Sequence, residues 1–167
     1  MMSRKEEQHC LSLLVSNRPG VLIRIALVFS RRGYNLDSVV VSPTHQHEFS
    51  RMNIVASGDR ETLAEIIAQL DKLVDVVHVA DHTGEEMIEG EIAFIKVNCP
   101  LEKRTELFQL ADHFRARSAD LAEDSITFEV TGKTDKLNAF QLMLEKYGIL
   151  EIVRSGKLIM ARGRQET

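Results

Sequence analysis

The segment Ser16-Asn17-Arg18-Pro19-Gly20-Val21-Leu22 brings together residue types that can hold a small charged ligand. Proline before glycine suits a type II turn, in which glycine takes the positive φ of the second central position. If a helix starts at Val21, the amides of Gly20, Val21 and Leu22 lie in or beside its first turn, where no helical carbonyl pairs with them. Such a terminus carries about half a positive charge and binds a carboxylate. Asn17 adds an amide with donors and an acceptor, able to meet a carboxylate and an ammonium together. The chemistry is recognition of a small zwitterionic metabolite. A purely structural role is open as well, with Asn17 capping the helix and Gly20 serving the turn. The corresponding turn in the second half of the chain, Asn98-Cys99-Pro100-Leu101-Glu102, has no glycine and carries an acid. That asymmetry favours a ligand site in the first half only.

Other chemistry-bearing residues are scattered. His45 and His47 share a face only if their segment is extended, and no cysteine or third histidine lies near them in sequence. His78, His82 and His113 stand isolated. No GxSxG, HExxH, GxGxxG or Walker A pattern occurs. Glu85, Glu86, Glu89 and Glu91 fall in a polar stretch where solvation accounts for them. Cys10 and Cys99 are too few and too far apart for a zinc motif or a disulfide framework, and each sits in an apolar run as an inert buried thiol. The expectation is a chain with no catalytic residues, no metal site and no cofactor of its own.

The elements that must position the turn follow from hydrophobic patterning. Cys10 to Val15 is a short apolar strand, and Val21 to Arg32 is a helix that is apolar almost everywhere except Arg24, so more than one of its faces should be covered. Gly33 stops it. Tyr34–Ser42 and Phe49–Ser57 read as strands joined by the Pro43–Glu48 loop. Leu63, Ile66, Ile67 and Leu70 form one stripe of a second helix, with Asp59 as N-cap, and Leu73–Ala80 closes a β-α-β-β-α-β order. The order then begins again. Leu63, Ile66 and Leu70 recur 74 residues on as Leu137, Phe140 and Leu144, and Leu22, Ile25, Ala26 and Phe29 recur 85 residues on as Leu107, Leu110, Ala111 and Phe114. The fold class is therefore α+β, two tandem ferredoxin-like units, with domains at 1–82 and 91–167 and a linker at 83–90.

Composition narrows the function classes. The 167 residues carry 21 Lys+Arg against 25 Asp+Glu, a formal net charge of −4, with 5% aromatics and no tryptophan. A duplex-DNA binder shows a basic face and a single-strand binder shows stacking aromatics, so nucleic acid is not expected as a partner. No run approaches the roughly 18 apolar residues of a membrane span, and the N-terminus lacks a signal-peptide stretch, so a cytoplasmic protein without a membrane partner is expected.

Taken together, Asn17-Arg18-Pro19-Gly20-Val21-Leu22, Phe29-Ser30-Arg31-Arg32-Gly33-Tyr34-Asn35-Leu36, Ser50-Arg51-Met52 and Lys72-Leu73-Val74-Asp75-Val76 closely resemble the small regulatory subunit of acetohydroxyacid synthase (acetolactate synthase). The likeness continues through Ile95-Lys96-Val97, Glu129-Val130-Thr131-Gly132, Tyr147-Gly148-Ile149-Leu150-Glu151 and Arg154-Ser155-Gly156 to Ala161-Arg162-Gly163. The resemblance implies that the first unit is an ACT domain, paired with the same domain of a second subunit in a homodimer or higher homo-oligomer. It implies a branched-chain amino acid, usually valine, at the pair's interface. Asn17, Pro19, Gly20, Val21 and Leu22 belong to the matching ligand loop, and Asn35 matches a residue reaching the site from the partner subunit. It further implies a large catalytic subunit that this chain activates and renders sensitive to end product. Thiamine diphosphate, FAD and Mg²⁺ belong to that subunit. The sequence departs from the family at Glu89-Gly90-Glu91, where an arginine is common in the middle position. Rival readings are a stand-alone amino-acid-responsive transcription factor, which would need a recognition helix or basic face, and a small ACT-fused enzyme, which would need a catalytic constellation in the second half.

Overall fold

The computed structural model describes residues 7–167. In the first unit, strand β1 (Glu7–Ser16) leads through the Pro-Gly turn into helix α1 (Val21–Arg31), followed by β2 (Asn35–Pro43), β3 (Phe49–Gly58), α2 (Arg60–Leu70) and β4 (Val76–Asp81). The sheet order is β2-β3-β1-β4 with every pair antiparallel, so β1 and β3 are central and β2 and β4 are edges. The second unit repeats the plan with β5 (Ile88–Asn98), α3 (Arg104–His113), β6 (Arg117–Leu121), β7 (Ser125–Gly132), α4 (Thr134–Leu144) and β8 (Ile149–Arg154), ordered β6-β7-β5-β8. Both sheets have the strand order of a ferredoxin-like unit, as the repeating sequence pattern indicated.

Each core forms where the helix stripes meet the inward face of the sheet. Leu11, Leu13 and Val15 of β1 alternate inward with Met52, Ile54 and Ala56 of β3, and Val21, Ile25 and Phe29 of α1 with Leu63, Ile66 and Leu70 of α2 close over them. Fully burying each such Leu, Ile or Phe contributes about 1.5–3 kcal/mol. Asp59 caps α2 by accepting a hydrogen bond from the Thr62 amide at 2.8 Å, and α4 starts and ends 74 residues after α2. The match of α1 to α3 shifts by one residue from the sequence reading. Burial pairs Val21 and Ile25 with Leu107 and Ala111, a spacing of 86 rather than 85, because a 3₁₀ turn at Leu101–Lys103 precedes α3. Only one face of α1 is covered by its own unit, where the sequence suggested more; Leu22, Ile23 and Leu27 stay exposed.

The compact units comprise residues 7–88 together with 157–167, and residues 89–156. The final segment, which includes the short strand β9 (Leu158–Met160), thus groups with the first unit, whereas the sequence reading placed it in the second. Arg51 Nη1 donates to the Thr167 carbonyl at 2.5 Å, the Lys157 amide donates to Ser38 Oγ at 3.4 Å, and Ile159 and Ala161 pack with Met87 against Cys10. The stretch read as a solvated linker is also structured. Thr83 accepts from the Cys10 amide at 3.2 Å, Met87 is buried, and β5 already begins at Ile88. Glu91 is a buried partner rather than a solvated acid: Arg154 holds its two oxygens at 3.2 and 3.0 Å, and Thr134 donates to it at 3.0 Å.

Candidate functional site

Pro19-Gly20 makes the turn that its sequence dictates. Gly20 sits at φ +83° as the residue before α1, and the Val21 amide reaches back to the Arg18 carbonyl at 3.4 Å. A side chain on Gly20 would meet both the strain of left-handed backbone and the Arg24 guanidinium, whose Nη1 lies 3.1 Å from an ideal Cβ position. Arg24 in turn is held by Asp75, with Nε donating at 2.9 Å and Nη2 at 2.6 Å. The sequence reading passed over Arg24; its place one helical turn after Gly20 was the available signal.

Asn17 does not cap the helix. Its Nδ2 donates to the His47 carbonyl at 3.0 Å, and its backbone amide donates to the Glu48 carbonyl at 2.8 Å. It therefore ties the ligand loop to the β2–β3 hairpin, leaving its own carbonyl oxygen outside these bonds. Beneath the turn lies a cleft of about 180 Å³. Ser16, Asn17, Arg18, Val21 and Leu22 line one side, and Val15, Val41, Ser50 and Met52 line the other. The first-turn amides of α1 and the Arg18 side chain make this end of the unit favourable to a carboxylate, while the charge of Arg24 is already met by Asp75. The residues opposite are apolar apart from Ser50.

Asn35 is not brought to this cleft within the chain. It lies past the other end of α1, about 16 Å away by the rise of an 11-residue helix. There it lines a second cleft of about 420 Å³ with Ala26, Phe29, Ser30, Gly33, Tyr34 and Leu36. Its Nδ2 donates to Asp37 at 2.7 Å.

Elsewhere the polar clusters are internally satisfied. His82, read as isolated, is buried; its Nδ1 lies 2.7 Å from the Glu85 carboxylate and its Nε2 shares a hydrogen bond with Ser12 Oγ at 3.1 Å. The order Ser–His–carboxylate is that of a nucleophile relay, but Ser12 is 0% exposed and no substrate can reach it, so the chain of bonds fastens β1 to the segment after β4. In the second unit Lys146, Tyr147 and Lys103 surround Glu106 and hold its carboxyl down to about 2, a saturated surface cluster. Among the described residues no three His, Cys, Asp or Glu side chains gather as a metal site, and no helix is long and apolar enough to cross a membrane.

Known proteins place this architecture in a family. Residues 11–78 match the family model of an AHAS small subunit-like ACT domain, and residues 90–163 match that of the small subunit of acetolactate synthase. A probable acetolactate synthase small subunit of Archaeoglobus fulgidus is 43% identical, over 95% of this chain and 99% of its own length. The acetolactate synthase small subunit of Mycolicibacterium smegmatis is 40% identical, over 97% of this chain and 95% of its own. The crystal structure of an acetolactate synthase small subunit from Thermotoga maritima superposes with a TM-score of 0.84 at 36% identity, covering 95% of this chain and 99% of that one. Fold and relatives agree across nearly the whole length: the chain belongs to the acetolactate synthase small-subunit family.

Proposed function

We propose that this chain is the regulatory subunit of a cytoplasmic acetolactate synthase. It binds a branched-chain amino acid, valine first among them, activates the large catalytic subunit and transmits feedback inhibition to it. The chain performs no chemistry itself. Thiamine diphosphate, FAD and Mg²⁺ reside in the catalytic partner. The observation that carries the reading is the small cleft beside the start of α1, lined by Asn17, Arg18, Val21 and Leu22 on the helix side and by Val15, Val41, Ser50 and Met52 on the other.

In this proposal two copies pair so that Asn35 of one reaches toward the Asn17–Leu22 loop of the other. The exposed apolar face of α1 and the edge position of β2 support such pairing. Steady-state formation of acetolactate from pyruvate tests the function directly. The catalytic subunit is assayed alone, with this chain, and with this chain plus valine. The expected result is a higher rate on addition of the chain and a lower rate on further addition of valine, with no turnover by the chain alone. An unchanged rate and an unchanged response to valine would refute the assignment.

A further inference from the structure

The core-facing row of β3 contains a residue that does not fit it. Met52, Ile54 and Ala56 point into the core, and the strand's alternation puts Ser50 at the end of the same row. Ser50 stands opposite Val15 of β1 and Pro43 of β2 and is only 5% exposed. Its hydroxyl makes no hydrogen bond with any described residue. Among the described residues the side-chain atoms sealed from solvent without a partner are Asn53 Oδ1 and Arg104 Nε, so the Ser50 oxygen keeps open surface through which a ligand can meet it. Ser50 also lines the cleft beneath the ligand loop, which gives the hydroxyl a space to face.

We propose that Ser50 is a ligand contact, its hydroxyl oxygen accepting a hydrogen bond from the ammonium group of a bound α-amino acid. The inference rests on the amino-acid reading above and adds a residue and a polarity to it. On the helix wall, the first-turn amides of α1 suit the carboxylate. On the sheet wall, a hydroxyl oxygen with free lone pairs suits the ammonium. Val15, Val41 and Met52 then leave apolar surface for a short branched side chain. The cleft volume of about 180 Å³ lies below the roughly 300 Å³ at which pockets for drug-sized ligands begin, so the occupant is small.

Calorimetric titration of the full chain and of Ser50→Ala tests this. The ligands are L-valine and 3-methylbutanoate, which keeps the carboxylate and branched side chain but has no donor on the α-carbon. The expected result is about a 10- to 150-fold loss of valine affinity in Ser50→Ala, the loss of one charge-assisted bond. 3-Methylbutanoate should bind both proteins alike, and Ser50→Ala should melt close to the wild type. Wild-type affinity for valine in the folded variant would overturn the proposal. So would an equal loss for both ligands, or a variant that fails to fold, since either would make the hydroxyl structural. If the wild-type chain itself gives no binding with valine, the amino-acid reading falls and this inference with it.

Discussion

Gly20 and Asn17 share one loop but depend on it in different ways. At φ +83° an L side chain at position 20 costs about 1–2 kcal/mol of backbone strain. Gly20→Asp would add a negative charge beside the proposed carboxylate position, so its valine affinity should fall by more than about 100-fold by calorimetry. The variant should remain folded and still raise the rate of the catalytic subunit, since the proposed activation is separate from the proposed ligand cleft. Asn17→Ala removes the bond to His47. It should lower stability by about 0.5–1.5 kcal/mol in chemical denaturation as well as weaken valine binding about tenfold, as the hairpin loosens from the loop. The sign of φ at Gly20 was legible in the sequence because Pro-Gly dictates its own turn. The partner of Asn17 was not, since His47 lies 30 residues on and only the fold brings it near. Ser50 was hidden for another reason: alternation marks a strand but does not say which face is buried or what a hydroxyl meets there.

At the scale of elements, Tyr34 joins the end of α1 to the β3–α2 turn. Its ring lies where a side chain on Gly58 would be, 2.3 Å from an ideal Cβ, and its hydroxyl donates to the Asp59 carbonyl at 2.8 Å. Gly58→Ala must displace that ring and should lower the melting temperature, more than alanine at a roomy glycine such as Gly90, where nothing stands within 4 Å of the added Cβ and the backbone is not left-handed. Burial, with the nearby charges of Asp59, Asp81 and Glu7, pushes the Tyr34 phenol up to about 12. The unfolded chain ionises near 10, so between about pH 10 and 12 the unfolded state has lost a proton that the folded state keeps. Stability from this group is therefore complete below pH 10 and is lost as the pH rises to 12. Ultraviolet titration should show no tyrosine ionising at the ordinary value in the folded protein, because burial and the Glu106 bond also raise Tyr147. Tyr34→Phe should abolish the steepest part of the alkaline loss. The elements themselves were well marked in the sequence. The stripes of α2 and α4 repeat with equal spacing because both follow a strand by a single capping residue, Asp59 or Lys133. The spacing of α1 to α3 slipped because a 3₁₀ turn leaves no mark in a hydrophobic pattern.

For the whole molecule, the unresolved tension is an apolar helix face that its own unit does not cover. Leu22, Ile23 and Leu27 are 47%, 66% and 44% exposed along α1, and the edge strand β2 presents Val41 at 44%. A face of this kind beside an open sheet edge is what a twofold partner covers. The sequence signalled it through the lack of polar positions in α1, but a pattern within one chain cannot tell a second core face from an interface. Sedimentation should find a homodimer at micromolar concentration. Leu27→Glu keeps a strong helix former at an exposed position, so circular dichroism should stay that of the wild type, yet it sets a charge in the proposed contact. The variant should sediment as a monomer. In the proposed pairing Asn35 would reach the other copy's site, so the same variant should also bind valine more weakly although position 27 does not line the cleft. A Leu27→Glu chain that is monomeric and binds valine as the wild type does would place the entire site within one subunit. A chain that remains dimeric with full affinity would move the interface to another face.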